Sequence, residues 1–382
     1  MIRGFSASYA GHVVDDNLGL QGMPANDRQY SNEKLSEAFS WALDIAQHLE
    51  GLGYDELWMA EHHFQPEGYE CIPNLLMLSL YLATQTQKLK FGCGFNIAPM
   101  WHPLRLAEDF AMADILTKGR VMFGVGRGYH SREVETFGSP MLDSDANREL
   151  FEEQVEVILK AFNEEFFSHQ GKHYKIPAKV PYRGYELEKI SLVPRPTHPV
   201  QIWQPLVSGN PKGVDFMAKM GIKALIANTP EEALSGRLSM YQEAAANHGK
   251  QLKLGEDIAL GYRFFIGETE EKAINEARPY FEEGMKFAAP LGLMRLDQDQ
   301  IDAVANPRSA RGVELPTLEA ASASKAWLCG PPELIVEHLK KVEEQYPGIE
   351  RINLGSVMGM PLNVFKDQLS KFAEGVMPAF AN

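Results

Sequence analysis

Apolar and polar positions along this chain change period in a regular rhythm. Short, mostly apolar runs recur at Ile2–Ser8, Glu56–Ala60, Lys90–Ala98, Val121–Val125, Val200–Pro205, Ala224–Ala227, Ile258–Ile266 and Arg351–Ser356, and each predicts a strand. A run such as Leu57-Trp58-Met59-Ala60 suits a strand covered on both faces, as parallel sheets require. Between the runs, helical spacing predicts helices over Glu33–Leu52, Asn74–Thr84, Leu104–Leu116, Arg148–Phe162, Lys212–Met220, Glu231–His248, Glu270–Phe287 and Pro332–Gln345. A last amphipathic helix is predicted over Pro361–Glu374. Thr269 ahead of Glu270-Glu271-Lys272 reads as an N-cap, and Thr229-Pro230-Glu231-Glu232 places proline and acid in a first turn. Gly53, Gly221 and Gly249 stand where helices stop.

Eight strands, each followed by a helix, predict the α/β class and a (β/α)8 TIM barrel; a doubly wound sheet is the alternative that periodicity does not separate from it. Three segments depart from the rhythm: Gly11–Ser31, Phe166–Pro199 and Pro290–Lys325. Loops this long read as lids or binding walls, so the expected form is one domain over 1–382 with long insertions at the carboxyl ends of the strands. The segment 290–325, with Asp297, Asp299, Asp302, Arg308 and Arg311, is the candidate lid.

Composition narrows the class. The chain has 382 residues, 45% hydrophobic and 23% charged, which is ordinary for a globular protein. A formal charge of −14 argues against nucleic acid and anionic membrane surfaces, both of which need a basic face. Cys71, Cys93 and Cys329 form no CxxC pair and are odd in number, so no disulfide framework is expected. With no signal-like start and no apolar stretch of membrane length, a cytoplasmic setting is expected.

The chemistry concentrates at strand ends. Glu61-His62-His63-Phe64 follows strand two directly, where α/β folds place their ligands. Strand three ends in Gly92-Cys93-Gly94-Phe95-Asn96, followed by Trp101-His102-Pro103; glycines inside a strand mark close approach of a ligand or backbone. Strand four gives Phe123-Gly124-Val125-Gly126-Arg127-Gly128-Tyr129, a near miss for the dinucleotide fingerprint because Tyr129 stands where a third glycine belongs. Arg127 reads equally as an anion-binding group or a surface ion-pair partner. Ser208-Gly209 ahead of a helix reads either as a phosphate cradle or as an ordinary cap, with Arg148 as a second cation.

Taken in order, Gly53 to Phe64, His102-Pro103-Leu104-Arg105 and Thr117 to Gly128 resemble the bacterial luciferase-like family of flavin-dependent monooxygenases. Weaker echoes at Phe137-Gly138, Gly330-Pro331-Pro332-Glu333 and Val376-Met377-Pro378 extend the resemblance over nearly the whole chain. It implies a (β/α)8 barrel binding reduced FMN at the carboxyl ends of its strands. It implies that His62 assists formation and breakdown of a flavin C4a-hydroperoxide made from O2, with His63 orienting it and His102 on the substrate side. Arg127, Arg148, Ser208 and Gly209 would hold the phosphate end, and Gly94, Phe95 and Asn96 would lie under the flavin ring, with Gly94-Phe95 a cis peptide. A separate flavin reductase would supply the reduced FMN, the substrate would be a small organic molecule, and relatives imply a homodimer formed through the early helices, where Leu75-Leu76-Met77 and Leu80-Tyr81-Leu82 are strongly apolar. Gly126, Phe95 and Val207 depart from luciferase itself, which puts light emission in doubt and not flavin binding.

Three other readings remain. One is a deazaflavin-dependent dehydrogenase of the same family, and another a non-catalytic flavin-binding protein. The third is a metal-dependent hydrolase liganded by His62, His63 and His102, for which strand one offers no carboxylate pair; no metal is expected. Phe5, Tyr9, Phe64, Phe95, Trp101, Tyr129 and Trp203 predict an apolar or aromatic pocket, better suited to a hydrophobic or heteroaromatic compound than to a sulfonate.

Overall fold

A computed structural model describes residues 1–207, 209–306 and 312–381. The eight predicted strands form at β1 (Gly4–Tyr9), β2 (Glu56–Met59), β3 (Lys90–Cys93), β4 (Val121–Gly126), β5 (Ile202–Pro205), β6 (Lys223–Ala227), β7 (Ile258–Ile266) and β8 (Arg351–Gly355). All pair in parallel and in sequence order, as with Ala7 opposite Leu57 between β1 and β2. The sheet closes where Phe123 of β4 meets Ile202 of β5 and where Ser6 of β1 meets Asn353 of β8. The result is a closed (β/α)8 barrel; the doubly wound alternative would leave two open edges.

The helices between the strands are α1 (Asn32–Leu52), α2 (Leu75–Thr84), α3 (Pro103–Thr117), α4 (Ser144–Asn163), α5 (Pro211–Met220), α6 (Glu231–Asn247), α7 (Glu270–Ala288), α8 (Pro332–Gln345) and α9 (Leu362–Gly375). Ser31 and Thr269 cap α1 and α7 through their side chains, and Gly53 and Gly221 end α1 and α5 in the left-handed region. Thr229 does not cap α6, because the N-cap position falls on Pro230, which has no side-chain acceptor. α4 begins earlier than periodicity predicts: Asp143 accepts from the amides of Asp145 and Ala146, so Arg148 lies in its second turn.

Strand three is shorter than its apolar run. The Gly94-Phe95 peptide is cis, as expected, and splits the run into β3 and a two-residue strand, Asn96–Ile97, that pairs with β4. The glycines here answer to the barrel's own interior. A Cβ on Gly92 would fall 2.2 Å from the Trp58 indole, and one on Gly124 would fall 1.9 Å from the Cys93 carbonyl oxygen. Trp58, Trp203 and Ala259 fill the barrel beneath its carboxyl end, the two indoles meeting edge to face at 5.5 Å.

The insertions carry more structure than their sequence suggested. Phe166–Pro199 holds two short hairpins, His169–Gln170 with Lys175–Ile176 and Pro181–Tyr182 with Tyr185–Glu186. The candidate lid holds two short helices, Gln298–Ala305 and Leu318–Ala323, while its Arg308 and Arg311 lie outside the described residues. A further strand, Trp327–Gly330, pairs with the carboxyl half of β7. Loop Gly11–Ser31 is anchored on α7: buried Arg28 meets Glu283 at 3.1 Å, and Glu283 also meets Lys286 at 2.7 Å and accepts from Tyr69 at 2.6 Å and from the Gly19 amide at 3.0 Å. All three cysteines are free, and no helix among the described residues is long and apolar enough to cross a membrane.

Candidate active site

Because the strands are parallel, residues that follow β2, β3, β4 and β5 emerge on one face of the barrel. There they line a cavity of about 460 Å³. His62, Gly94, Phe95, Arg127 and Arg148 all face it, joined by Tyr129, Ser144, Gln204, Val207 and Asn210. Asn96 lies behind the wall, buried, donating to the Gly124 carbonyl at 2.9 Å. Gly209 sits between two lining residues without reaching the cavity, and Ser208 lies outside the described residues.

Part of the cavity wall is cationic. Arg127 donates from Nε to Asn147 Oδ1 at 2.8 Å and from Nη2 to the Ser144 carbonyl at 2.7 Å. Arg148 has a carboxylate, Glu152, only at 3.8 Å. Burial and the neighbouring Arg148 both lower the Arg127 pKa, so the two guanidiniums share a pole that an anion would stabilise. Gln204 Oε1 is buried with no hydrogen-bond partner among the described residues. A buried acceptor of this kind calls for a donor from a ligand or water.

The wall also holds His62, only 4% exposed, between two carboxylates. Its Nδ1 lies 3.2 Å from Glu133 Oε1, and its Nε2 lies 3.0 Å from the Tyr129 hydroxyl and 3.2 Å from Glu70 Oε1. Tyr129 donates to Glu70 at 2.7 Å, and His130 Nε2 lies 3.0 Å from the other Glu70 oxygen. Gln65 donates to Glu133 at 2.9 Å and to Glu70 at 3.1 Å, and the His63 amide donates to Glu133 at 3.0 Å. Burial alone would lower the His62 pKa, but Glu70 and Glu133 outweigh it, and the pKa lies above the ordinary histidine value. Burial would likewise raise Glu70 and Glu133; the imidazoles and hydrogen bonds outweigh it and hold both below the usual carboxylate range. Tyr129, buried beside Glu70, is pushed well above a phenol's ordinary pKa and stays protonated.

The three sequence-predicted histidines do not converge. His63 turns away from the cavity, with its Nε2 3.2 Å from Glu61 Oε1 and its ring against Phe137. His102 is the N-cap of α3, accepting from the Leu104 amide at 3.3 Å, with its ring edge-on to Tyr174. Glu61 does positional work: its two oxygens accept from the Ile97 amide at 2.7 Å and the Trp101 indole at 2.8 Å, fixing the segment that follows the cis peptide. His62, Glu70 and His130 present donor atoms within 4.8 Å of one another, a spacing a metal ion could use, and here they are joined through hydrogen bonds with Tyr129.

Glu70, His130 and Glu133 carry no motif, and only the depth of the pocket assembles them. Glu133 sits on a six-residue helix, Ser131–Thr136, within a stretch that periodicity leaves blank. Of the aromatic residues predicted for the pocket, Phe95 and Tyr129 line the cavity, whereas Phe5 and Trp203 are core and Phe64 faces outward.

The family model of luciferase-like monooxygenases matches residues 21–347. The alkanal monooxygenase alpha chain of the Kryptophanaron alfredi symbiont is 26% identical over 248 residues, 64% of each chain. The oxygenase component of the flavin-dependent trigonelline monooxygenase of Acinetobacter baylyi is 22% identical over 363 residues, 93% of each chain. The matches span 54% and 64% of the lengths of the first curated relatives. Among solved structures, the oxygenating constituent of 3,6-diketocamphane monooxygenase from Pseudomonas putida, in complex with FMN, superposes with a TM-score of 0.72 at 18% identity, over 99% of this chain and 98% of that one. An F420-dependent secondary alcohol dehydrogenase superposes with a TM-score of 0.68, also at 18% identity, over the whole of both chains. At such identities the superpositions establish the fold alone. With the family model covering most of its length, this chain belongs to the luciferase-like monooxygenases.

Proposed function

We propose that this chain is the oxygenase component of a two-component flavin-dependent monooxygenase, taking reduced FMN from a separate reductase and using O2 to oxygenate a small organic substrate. The observation that carries this reading is one cavity lined both by a pair of arginines and by a doubly clamped histidine. The lining residues fit FMN: Arg127 and Arg148 match its phosphate, the orphaned Gln204 Oε1 matches a ring N–H, and Met141, Leu206, Val207 and Met217 supply apolar walls. The bound flavin would supply the electrons that activate O2. The protein's part is to hold the phosphate, keep water out and place a proton. Its raised pKa favours the protonated form, and His62 acts as the general acid at the cavity wall, while Glu133 fixes the ring from behind. Tyr129 and Glu70 form the route by which the proton is replaced.

Chain 1–382 acts as one domain in this reading, with segment 290–325 as a lid that places Leu293 against the cavity. The F420-dependent neighbour keeps a deazaflavin dehydrogenase as the second reading. Equilibrium titration separates the two. FMN should bind more tightly than riboflavin or F420, and Arg148→Ala should weaken FMN by roughly tenfold while leaving riboflavin unchanged, as loss of a charge-assisted phosphate contact requires. Mixing the protein with reduced FMN and O2 should then delay release of hydrogen peroxide relative to free flavin, and His62→Ala should abolish the delay without loss of FMN binding. Preference for F420, or an undelayed wild type, would overturn the monooxygenase reading.

A further inference from the structure

Deeper in the barrel mouth lies a second cavity of about 230 Å³, which shares Phe95, Tyr129 and Leu293 with the first. Four polar residues on its wall, Ser8, Asn228, Arg263 and Ser356, make no side-chain hydrogen bond or ion pair to another described residue. Arg263 stands out among them. It lies on the carboxyl half of β7, half-buried where it lines the cavity, and its guanidinium is held 6.0 Å from the centre of the Trp327 ring.

A buried guanidinium without a carboxylate is costly, because its lost hydration is not replaced. Glu70 is the charged group whose field reaches Arg263 and favours its charge against burial, and Tyr129, which stays protonated, adds no charge. Neither pairs with it. The Glu70 oxygens are already taken by Tyr129, His62, His130 and Gln65. The guanidinium therefore retains its fork of donors for something that enters the cavity, and a carboxylate is the group that matches the fork bidentately. The rest of the wall includes Phe95, Phe287 and Tyr129, which suit a flat ring, and the volume limits the occupant to a small one.

We propose that this second cavity is the substrate subsite and that Arg263 selects the substrate's carboxylate, so the substrate is a small aromatic or heteroaromatic acid. The proposal rests on the reading that the first cavity holds the flavin, and it adds a charged group to the expected apolar or aromatic pocket.

Calorimetric titration of benzoate and nicotinate against benzamide and nicotinamide, with and without oxidised FMN, tests it. Wild-type protein should bind at least one acid more tightly than its amide. Arg263→Met should weaken that acid on the order of 10- to 100-fold and leave the amide unchanged, as loss of a charged hydrogen-bonding partner predicts. Arg263→Lys, which keeps the charge without the fork, should fall between. FMN affinity should be the same in all three proteins. Acids binding no better than amides in the wild type would overturn the proposal, and so would an Arg263→Met variant that retains the acid or loses FMN. Arg263-dependent binding of an acid by protein that does not bind FMN would uphold the subsite and overturn the flavin reading instead.

Discussion

At the scale of single residues, the site turns on the charge of one imidazole. His62 has a carboxylate near each ring nitrogen, and its folded pKa is raised. Its contribution to stability is therefore full below the unfolded value of about 6.5 and is lost as pH rises through the folded pKa. Glu70 and Glu133 have lowered pKa values, so their contribution is full above the ordinary carboxylate value of about 4.3 and is lost as pH falls through the folded ones. The difference in thermal midpoint between wild type and His62→Ala should thus peak at roughly pH 5 to 6.5 and shrink on both sides. A difference that does not shrink above or below that range would mean that His62 is not charged in the folded protein. The sequence made His62 legible, because adjacent histidines behind an apolar strand have no packing role to explain them. It did not make Glu133 legible. A buried glutamate reads like any surface glutamate until the chain brings it 71 residues back to its partner.

At the scale of elements, the loop after β1 and helix α7 hold one another through charges that neither could bury alone. Glu283 is fully buried and is the counter-charge for both Arg28 and Lys286, themselves almost completely buried. Glu283→Gln keeps the shape but leaves Lys286 with no carboxylate and Arg28 with only the exposed Asp16 at 3.5 Å, and should cost about 3–5 kcal/mol in denaturant unfolding. A loss under 1 kcal/mol would place these charges in contact with water. The strands themselves were readable from their apolar runs, and so were the Thr269 cap and the glycine stops at Gly53 and Gly221. The break in strand three was harder to place. Its run stays apolar through Ala98, and Gly92 and Gly124 first suggest a ligand. Only the packed barrel reveals that Gly92 makes room for the Trp58 indole and Gly124 for a neighbouring carbonyl. The strand Trp327–Gly330 escaped notice because its four residues follow a long insertion and pair with the far end of β7, a partner set by topology alone.

At the scale of the whole molecule, α2 and the neighbouring α3 leave large apolar side chains in solvent: Met77 is 71% exposed, Tyr81 49%, Met112 50% and Leu116 63%. Exposed apolar clusters of this kind mark association surfaces, and a homodimer through these helices is the expected use. Sedimentation should show a dimer at micromolar concentration, converted to monomer by Met77→Asp paired with Met112→Asp; a wild type that sediments as a monomer would end that expectation.

The sequence by itself determined the class of the molecule. Strand and helix periods are local, so eight apolar runs alternating with amphipathic helices specified a parallel α/β sheet, barrel or doubly wound, and placed His62, Phe95 and Arg127 at the carboxyl ends of its strands. Closure between β4 and β5 was decided by the tertiary structure. What tertiary structure alone decided was which charges lie buried and which of them meet. Barrel closure enclosed Glu70, Glu133 and Arg263 and left His63 and His102 outside the cavity. Ionisation and pairing depend on burial and on distances of a few ångströms between residues far apart in sequence, and no local pattern encodes those distances.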